Sequence, residues 1–446
     1  MNIGFNSSFC LRIANLVLQE EAEKGSNSVL SPLSFQVLLS LVAAGSTGRT
    51  LEQFLLHLGS ENLDNLKLLS SKLVALLSVR RDDTNLAAGP LVSFANGTWV
   101  DRSLGLRFTF QSMAEEVFKT QVKEVDFANK LQSHPYVIAQ FLLGTAEFYM
   151  ISVVFYSIRM IHQDDCVSSD SSQYLLVFLK ADEVRDEVNS WAESITGGLI
   201  KEILPLGSLN QDTALVLTNA LYFKGAWNRI FDTTRTKTMI FHLLNREEVP
   251  VPFMTSRYNE KHLYGENSEY KILQMPYQNG QDMRKFSMYF FLPAKTDGLQ
   301  NLVQEFRSNP EFFSQNFDLR EEELTEFWIP RFKFSYEFEA SRIVKNLGLD
   351  LPFTNLAEFN EMVDPPCSNR LCISKIFHKS FIEVNEEGTE AAASTATTFV
   401  LFSATFPTVS FRADHPFIFM VREEASKVVF FTGAVLNPLE QMTSSS

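Results

Sequence analysis

Apolar residues recur at helical spacing from the first turns of the chain. Phe9, Ile13, Leu16 and Val17 make one stripe that gives way to the charged run Glu20–Lys24, predicting an amphipathic first helix. In the block Asn27–Ser34, Ser31 has the chemistry of an N-cap and Pro32 suits the first helical turn. The apolar run from there to Ala44 predicts a buried helix. Thr50, Leu51, Glu52 and Gln53 match a capping box, so a further helix is expected to open at Thr50. Later the period changes to two. Phe332, Phe334, Tyr336 and Phe338 point one way while Arg331, Lys333, Ser335 and Glu337 point the other, predicting a half-buried strand. Leu215–Phe223 is largely apolar on both faces and reads as a central strand. Phe286–Leu292 and Val428–Phe431 also read as strands. The elements mix without a regular βαβ rhythm and without an internal repeat, so the fold class is α+β.

Composition narrows the function. The chain has 446 residues, 45% hydrophobic and 21% charged, enough to bury a large core. Its net charge is -14, which repels phosphate backbones and excludes nucleic acid as a partner. Four cysteines, Cys10, Cys166, Cys367 and Cys372, outline no disulfide framework and are expected to be free thiols. No second pair supports a metal site at Cys367 and Cys372, so neither metal nor cofactor is expected. The start of the chain lacks a basic region, an uninterrupted apolar run and a cleavage site. A cytoplasmic location is therefore expected, with an extracellular one left open. Asn6 and Asn96 begin sequons of the kind that arise by chance. Pro135–Ile158 is apolar and aromatic and long enough to cross a bilayer, but Glu147 interrupts it; packing against protein, not a membrane span, is the expectation.

Enzyme motifs are missing. The glycines do not fit GxSxG, GxGxxG or phosphate-loop spacing, and the histidines do not fit HExxH. Asp414 and His415 adjoin, but neighbours in an extended chain point apart, so they are expected to form a structural turn before Pro416 and not a base with its orienter. No enzymatic activity is expected.

The informative stretch begins at Asn385. Gly388 offers a backbone hinge, and small residues follow it: Thr389, Ala391, Ala392, Ala393 and Ser394. No charge occurs between Glu390 and Arg412. Read as a strand, the segment turns Thr389, Ala391, Ala393 and Thr395 to one face, small enough to slip between two existing strands. Its residues equally suit an uncharged flexible surface loop, and composition leaves both readings open.

A family resemblance bears on that choice. Glu386–Ala393, with the sequence EEGTEAAA, resembles the hinge of the serpins, in nearly the form found in inhibitory plant serpins. Phe411–Phe419 is similar to the family's C-terminal signature. The Asn27–Ser34 block, Phe94–Trp99, Asn219–Trp227 and Phe377–Val384 resemble further family segments in the family's order. The resemblance implies one serpin domain over 1–446, with three sheets, about nine helices and an exposed reactive-centre loop over 386–411. It implies an inhibitor that offers the loop as bait, forms an acyl-enzyme with the attacking protease and then inserts the cut loop into the main sheet. The hinge would comprise Glu386, Glu387, Gly388, Thr389, Glu390, Ala391, Ala392 and Ala393. Counting along the loop places the scissile bond between Phe402 and Ser403, with Leu401 in the preceding subsite. A large apolar ring suits chymotrypsin-like serine proteases and papain-like cysteine proteases. Ser31, Ser34, Asn219 and His378 would form a polar cluster beneath the opening of the main sheet, and Trp227 would stand where the loop first inserts. A monomer with target proteases as its partners is implied.

One segment departs from the family. Leu131–Lys180 separates two stretches that would otherwise join, and without it the chain keeps an ordinary length for a serpin. An intron retained in frame, or a mispredicted gene model, would account for it. By resemblance it lies between an edge strand of the main sheet and the helix that covers the sheet. A non-inhibitory serpin acting as carrier, chaperone or storage protein is the alternative function; the small residues at 389, 391 and 393 favour inhibition.

Overall fold

The computed structural model describes residues 8–77, 90–127, 170–210, 213–256, 260–279, 284–309, 312–365, 371–389 and 409–440. The first stripe forms α1 (Ser8–Lys24), with Phe9, Ile13 and Val17 buried. A short strand, β1 (Ser28–Leu30), leads to α2 (Pro32–Ala44), in which every residue is buried. Ser31 caps α2: its hydroxyl accepts the Ser34 N–H at 3.2 Å, and Pro32 sits in the first turn, where a missing N–H costs no helical bond.

The next helix, α3 (Gly48–His57), corrects the expected capping box. Its N-cap is Thr47, and Thr50 lies buried inside the helix. Thr47 makes no side-chain cap; the Glu358 carboxylate, from a distant loop, accepts the Arg49 N–H at 2.7 Å instead. Thr50 accepts the Glu358 N–H at 3.0 Å, and Gln53 reaches out to the Gly348 carbonyl and the Asp350 carboxylate. A tertiary contact satisfies the free N-terminal donors that a local motif was expected to satisfy.

Then follow α4 (Leu63–Leu77), β2 (Leu91–Asp101), α5 (Phe108–Glu116), β3 (Gln121–Val125), α6 (Asp170–Ile195), β4 (Leu215–Ala226), β5 (Lys237–His242), β6 (Glu248–Met254), β7 (Lys261–Glu266), β8 (Tyr270–Pro276) and β9 (Phe286–Pro293). The last third holds α7 (Leu299–Ser308), β10 (Arg320–Glu323), β11 (Glu326–Pro330), β12 (Phe332–Glu339), α8 (Ser341–Asn346), β13 (Lys375–Val384), β14 (Gly388–Thr389), β15 (Ser410–Arg412), β16 (Phe417–Glu423) and β17 (Val429–Val435). The strands form three sheets: a seven-stranded sheet in the order β1-β17-β16-β9-β8-β7-β10, a four-stranded sheet β15-β11-β6-β5, and a six-stranded sheet β12-β13-β4-β2-β3 with β14 beside β4. Helix α2 touches both β4 and β17, so the two larger sheets share one apolar core around it. Among the described residues there are eight α-helices.

Two features of the six-stranded sheet prepare the site. First, β4 is central, as its two-sided apolar pattern predicts, and Leu215–Phe223 is buried throughout. It runs parallel to β13 on one side and antiparallel to β2 on the other. Second, α6 lies across the sheet. Ala181, Val184, Val188 and Ala192 pack in one cluster with Trp99, Val125, Tyr222 and Phe381, which come from four different strands. This 26-residue helix begins at Asp170, so the join expected at Lys180 and Ala181 falls inside a continuous helix. The rest of the 131–180 segment, including Pro135–Ile158, lies outside the described residues. Among the described residues no helix is long and apolar enough to cross a membrane.

Candidate functional site

The six-stranded sheet is closed below and parted above. Pairing between β13 and β4 runs from Lys375 opposite Val216 to Phe381 opposite Tyr222 and stops there. β13 continues alongside β12 to Val384, and β4 continues alongside β2 to Lys224. Beyond that point the neighbour of β4 on its parted side is β14, which lies in the segment expected from the sequence to be the hinge. Gly388 pairs with Ala226 and Thr389 with Gly225, antiparallel. Gly388 and Thr389 thus form a short strand of this sheet.

The backbone there demands glycine. Gly388 has φ +144°, and a Cβ at that position would lie 2.1 Å from the Gly225 carbonyl oxygen and 2.7 Å from the Ala226 Cα. Those are backbone atoms, so no side-chain adjustment makes room. A turn sets the hinge up: the Asn385 side-chain oxygen accepts the Glu387 and Gly388 N–H groups at 3.1 and 3.3 Å.

Trp227 anchors the turn from below. Its indole N–H donates to the Asn385 carbonyl at 2.9 Å, and its backbone N–H donates to the Glu387 carbonyl at 2.9 Å. The ring is buried and stacked on Tyr277 with centroids 4.6 Å apart. The Phe231 N–H donates to the Glu386 carbonyl at 2.9 Å. Glu386 itself points inward, 2% exposed, and its carboxylate is paired with the Arg331 guanidinium, through Nε at 2.7 Å and through Nη2. The Thr236 hydroxyl donates to the same oxygen. A buried carboxylate survives only with such partners.

Beneath the parting, the four polar residues named from the sequence meet. His378 lies opposite Asn219 in the β13–β4 register, and its Nδ1 is 3.1 Å from the Asn219 side-chain oxygen. The other ring nitrogen accepts from the Ser380 hydroxyl at 2.7 Å and from the Ser31 N–H at 3.4 Å. Ser34 closes the group on the helix side, its hydroxyl donating to the Ser31 carbonyl at 3.0 Å. These contacts fix the neutral tautomer with its proton on Nδ1. Burial without a counter-charge pushes the imidazole down to about 3.

Asn219 donates in turn to Asn96 at 2.6 Å. Asn96 is 1% exposed, so its sequon is closed to modification in the folded protein. Arg331, Thr236, Asn96 and Ser380 escaped the reading of the sequence. Ser380 carried a signal, since it shares the strand face of His378 two positions on. Arg331 read only as the polar side of an alternating strand, and nothing local ties it to Glu386.

The loop's far end is held differently. β15 pairs parallel with β11 over three residues, Glu326 opposite Ser410 through Trp328 opposite Arg412. The Lys271 ammonium donates to the Ser410 carbonyl at 2.8 Å, and the Ala413 N–H donates to the Trp328 carbonyl at 3.0 Å. Asp414 and His415 correct an expectation. Their side chains do meet, Nδ1 to Oδ1 at 2.9 Å, because the backbone bends at His415 instead of running extended. The second ring nitrogen is 2.9 Å from the Pro293 carbonyl, so neither nitrogen is left to serve as a base.

Glu390, Ala391, Ala392, Ala393, Leu401, Phe402 and Ser403 lie outside the described residues, as do Cys166 and Cys367; of Thr389 only the backbone pairing is described. Cys10 and Cys372 are free thiols, and burial raises the Cys10 thiol far above its ordinary value.

The model of one family, Serpin (serine protease inhibitor), matches residues 5–141 and 167–438. It leaves unmatched a stretch that lies within 131–180. Among curated relatives, Serpin-Z1C of Triticum aestivum is 39% identical over 440 residues, covering 98% of this chain and 97% of that protein. Serpin-ZXA of Oryza sativa subsp. japonica is 41% identical over 444 residues, covering 98% of each. Among solved structures, Arabidopsis AtSerpin1 in its native stressed conformation superposes with a TM-score of 0.77 at 36% identity, over 99% of this chain and 100% of that one.

Proposed function

Since this chain belongs to the serpin family, we propose that it traps chymotrypsin-like serine proteases, and papain-like cysteine proteases, by cleavage and insertion of its own loop. The family makes it a protease inhibitor; the proposal adds the protease class and the mechanism. The observation that carries it is the pairing of β14 on β4 beside the parted strands. An incoming strand needs an unoccupied ladder, a residue without a clash at the first crowded position and a hinge already aligned, and all three coincide at Gly388.

The chemistry follows in order. The protease nucleophile attacks the Phe402 carbonyl carbon, the bond to Ser403 breaks, and the Ser403 amine leaves with a proton. The chain ending at Phe402 is then an ester or thioester of the protease. Freed from β15, it zips down between β4 and β13 from Thr389 onward, and the protease travels with it. Insertion must outrun hydrolysis of the acyl bond. α6 straps both sides of the gap, so it must yield as the strand passes.

The test is a denaturing gel of the purified chain mixed with chymotrypsin. A band at the summed mass less that of the fragment after Phe402, stable to denaturant, is expected, with Ser403 as the new N-terminus of the released fragment. Cleavage at Phe402 without that band would overturn the trapping reading and leave a substrate. The same assay with papain tests the cysteine-protease arm. A variant lacking residues 131–180 separates the two causes of failure: a band that returns on deletion blames the segment and not the loop.

A further inference from the structure

A cleft opens beside the turn that carries β14. Its volume is about 460 Å³, within the range of small-molecule sites. The start of β12 supplies Arg331 and Lys333 to it, and the end of β13 with the turn supplies Glu383, Glu386 and Glu387. Pro252, Pro438 and Leu439 add apolar surface. The segment bearing Pro438 and Leu439 is fixed from elsewhere. The Asn27 side-chain oxygen accepts the Leu436 and Asn437 N–H groups at 2.7 and 2.9 Å, and the Asn27 amide donates to the Asn437 carbonyl at 2.7 Å. The Arg331 N–H donates to the Pro252 carbonyl at 2.8 Å, which ties two sides of the cleft together.

The charges in the cleft do not balance. Lys333 is paired with Glu383 at 2.8 Å, and Arg331 with Glu386. Glu387 is the third carboxylate, and among the described residues its side chain has no hydrogen bond or ion pair. Glu386 is only half used. Arg331 and Thr236 donate to Oε1 alone, and among the described residues nothing donates to Oε2 of this buried side chain. A carboxylate oxygen held away from water without a donor is costly, and so is an excess charge in a partly shielded cleft. An anion would meet three carboxylates, with both cations already taken. A monocation would supply the donor and balance the charge.

We propose that this cleft is a binding site for a small organic cation, an amine on an apolar body. Its ammonium donates to Glu386 Oε2 within the field of Glu387, and its apolar part lies on Pro252, Pro438 and Leu439. The site stands without the trapping reading, but its effect rests on that reading. Glu386 and Glu387 belong to the turn that aims β14. A ligand that fastens this turn to the fixed segment at Pro438 and Leu439 hinders the first step of insertion.

Titration calorimetry of the full-length protein with cyclohexylamine tests the site. One saturable event is expected, with a Kd of about 0.1 to 1 mM, and cyclohexanol, the neutral counterpart, is expected to give none. Glu387→Gln is expected to weaken the amine about tenfold, and Glu387→Lys to abolish its binding. Leu439→Ser, which leaves the charges alone, is expected to weaken it about fivefold and serves if the turn variants fail to fold. Equal binding of the alcohol overturns the proposal. So does unchanged affinity in the Glu387 variants, or the absence of saturable amine binding in the unaltered chain.

A second readout addresses the effect. With chymotrypsin, the ratio of complex to cut inhibitor is expected to fall as the amine is added, half-way at the calorimetric Kd, and to stay constant in Glu387→Lys. A ratio that ignores the amine while calorimetry shows binding overturns the link to insertion. An equal fall in Glu387→Lys overturns it too, because the amine then acts on the protease. Absence of complex with and without amine sinks the trapping reading, and calorimetry still decides the site.

Discussion

The two ends of the loop are attached by opposite means. At the proximal end two residues pair with β4, and the hold comes from one buried carboxylate, Glu386, with its partners Arg331 and Thr236, and from backbone carbonyls of 385–387 that accept from Trp227 and Phe231. At the distal end three residues pair with β11, and Lys271, Asp414 and His415 add tethers to three further strands or their ends. The proximal end is arranged to advance: its ladder continues into the parting between β4 and β13. The distal end is arranged to stay. On the proposed trapping mechanism a bait loop needs this asymmetry, because insertion must follow cleavage and not precede it.

The largest expected effect comes from blocking the advance. Thr389→Arg puts a charged side chain where the strand must go between β4 and β13. Complex formation with chymotrypsin is expected to fall below detection while cleavage continues, read as the ratio of complex to cut inhibitor on a denaturing gel. Undiminished complex would mean that insertion does not start at β14.

Next in size is the ion pair. Arg331→Ala leaves the Glu386 carboxylate buried and unpaired. It is expected to destabilise the fold by about 3 kcal/mol, the low end for a broken buried pair because Arg331 is partly solvated. The urea midpoint measures it. An unchanged midpoint would mean that Glu386 swings out to water, and the proximal end would then be held by strand pairing and by the Trp227 and Phe231 hydrogen bonds to its carbonyls.

The acid side of the pH profile comes third. His378 is neutral and pushed down to about 3 by burial, against an ordinary value of 6.5. His262 is pushed down to about 4, by burial and then by the charge of Arg229. Both bind a proton more readily unfolded than folded. Their contributions are complete above about pH 6.5 and are lost as the pH falls toward about 3 to 4. Thermal unfolding across that range is expected to show a falling midpoint, with a shallower slope in His378→Gln.

The smallest effect distinguishes tethers from pairing at the distal end. Lys271→Ala removes one charge-assisted bond to the Ser410 carbonyl and is expected to cost about 1 to 2 kcal/mol, seen as faster amide exchange at 410–412. No change there would leave the β11 ladder and the contacts of Asp414 and His415 as the whole distal hold.

Periodicity alone located the central strand β4, the alternating strand β12 and the buried helix α2, because those patterns are set by which face meets the core. The α3 cap was misplaced for the complementary reason. A capping box is local, and the acceptor at this helix start is Glu358, far away in sequence. Asp414 and His415 misled similarly: the rule that neighbours point apart holds for an extended chain, and the bend at His415 breaks it.

The sequence by itself determined the fold class, the family and the composition of the stretch that follows Glu387: a glycine, small residues, and no charge between Glu390 and Arg412. These are properties of the chain read in order. Only the tertiary structure decided that β13 and β4 part above Tyr222, that Glu386 is buried against Arg331, and that Asn96 and Ser380 complete the cluster around His378. Each depends on strands distant in sequence meeting in a particular register, and a one-residue slip would turn every one of those side chains to the other face.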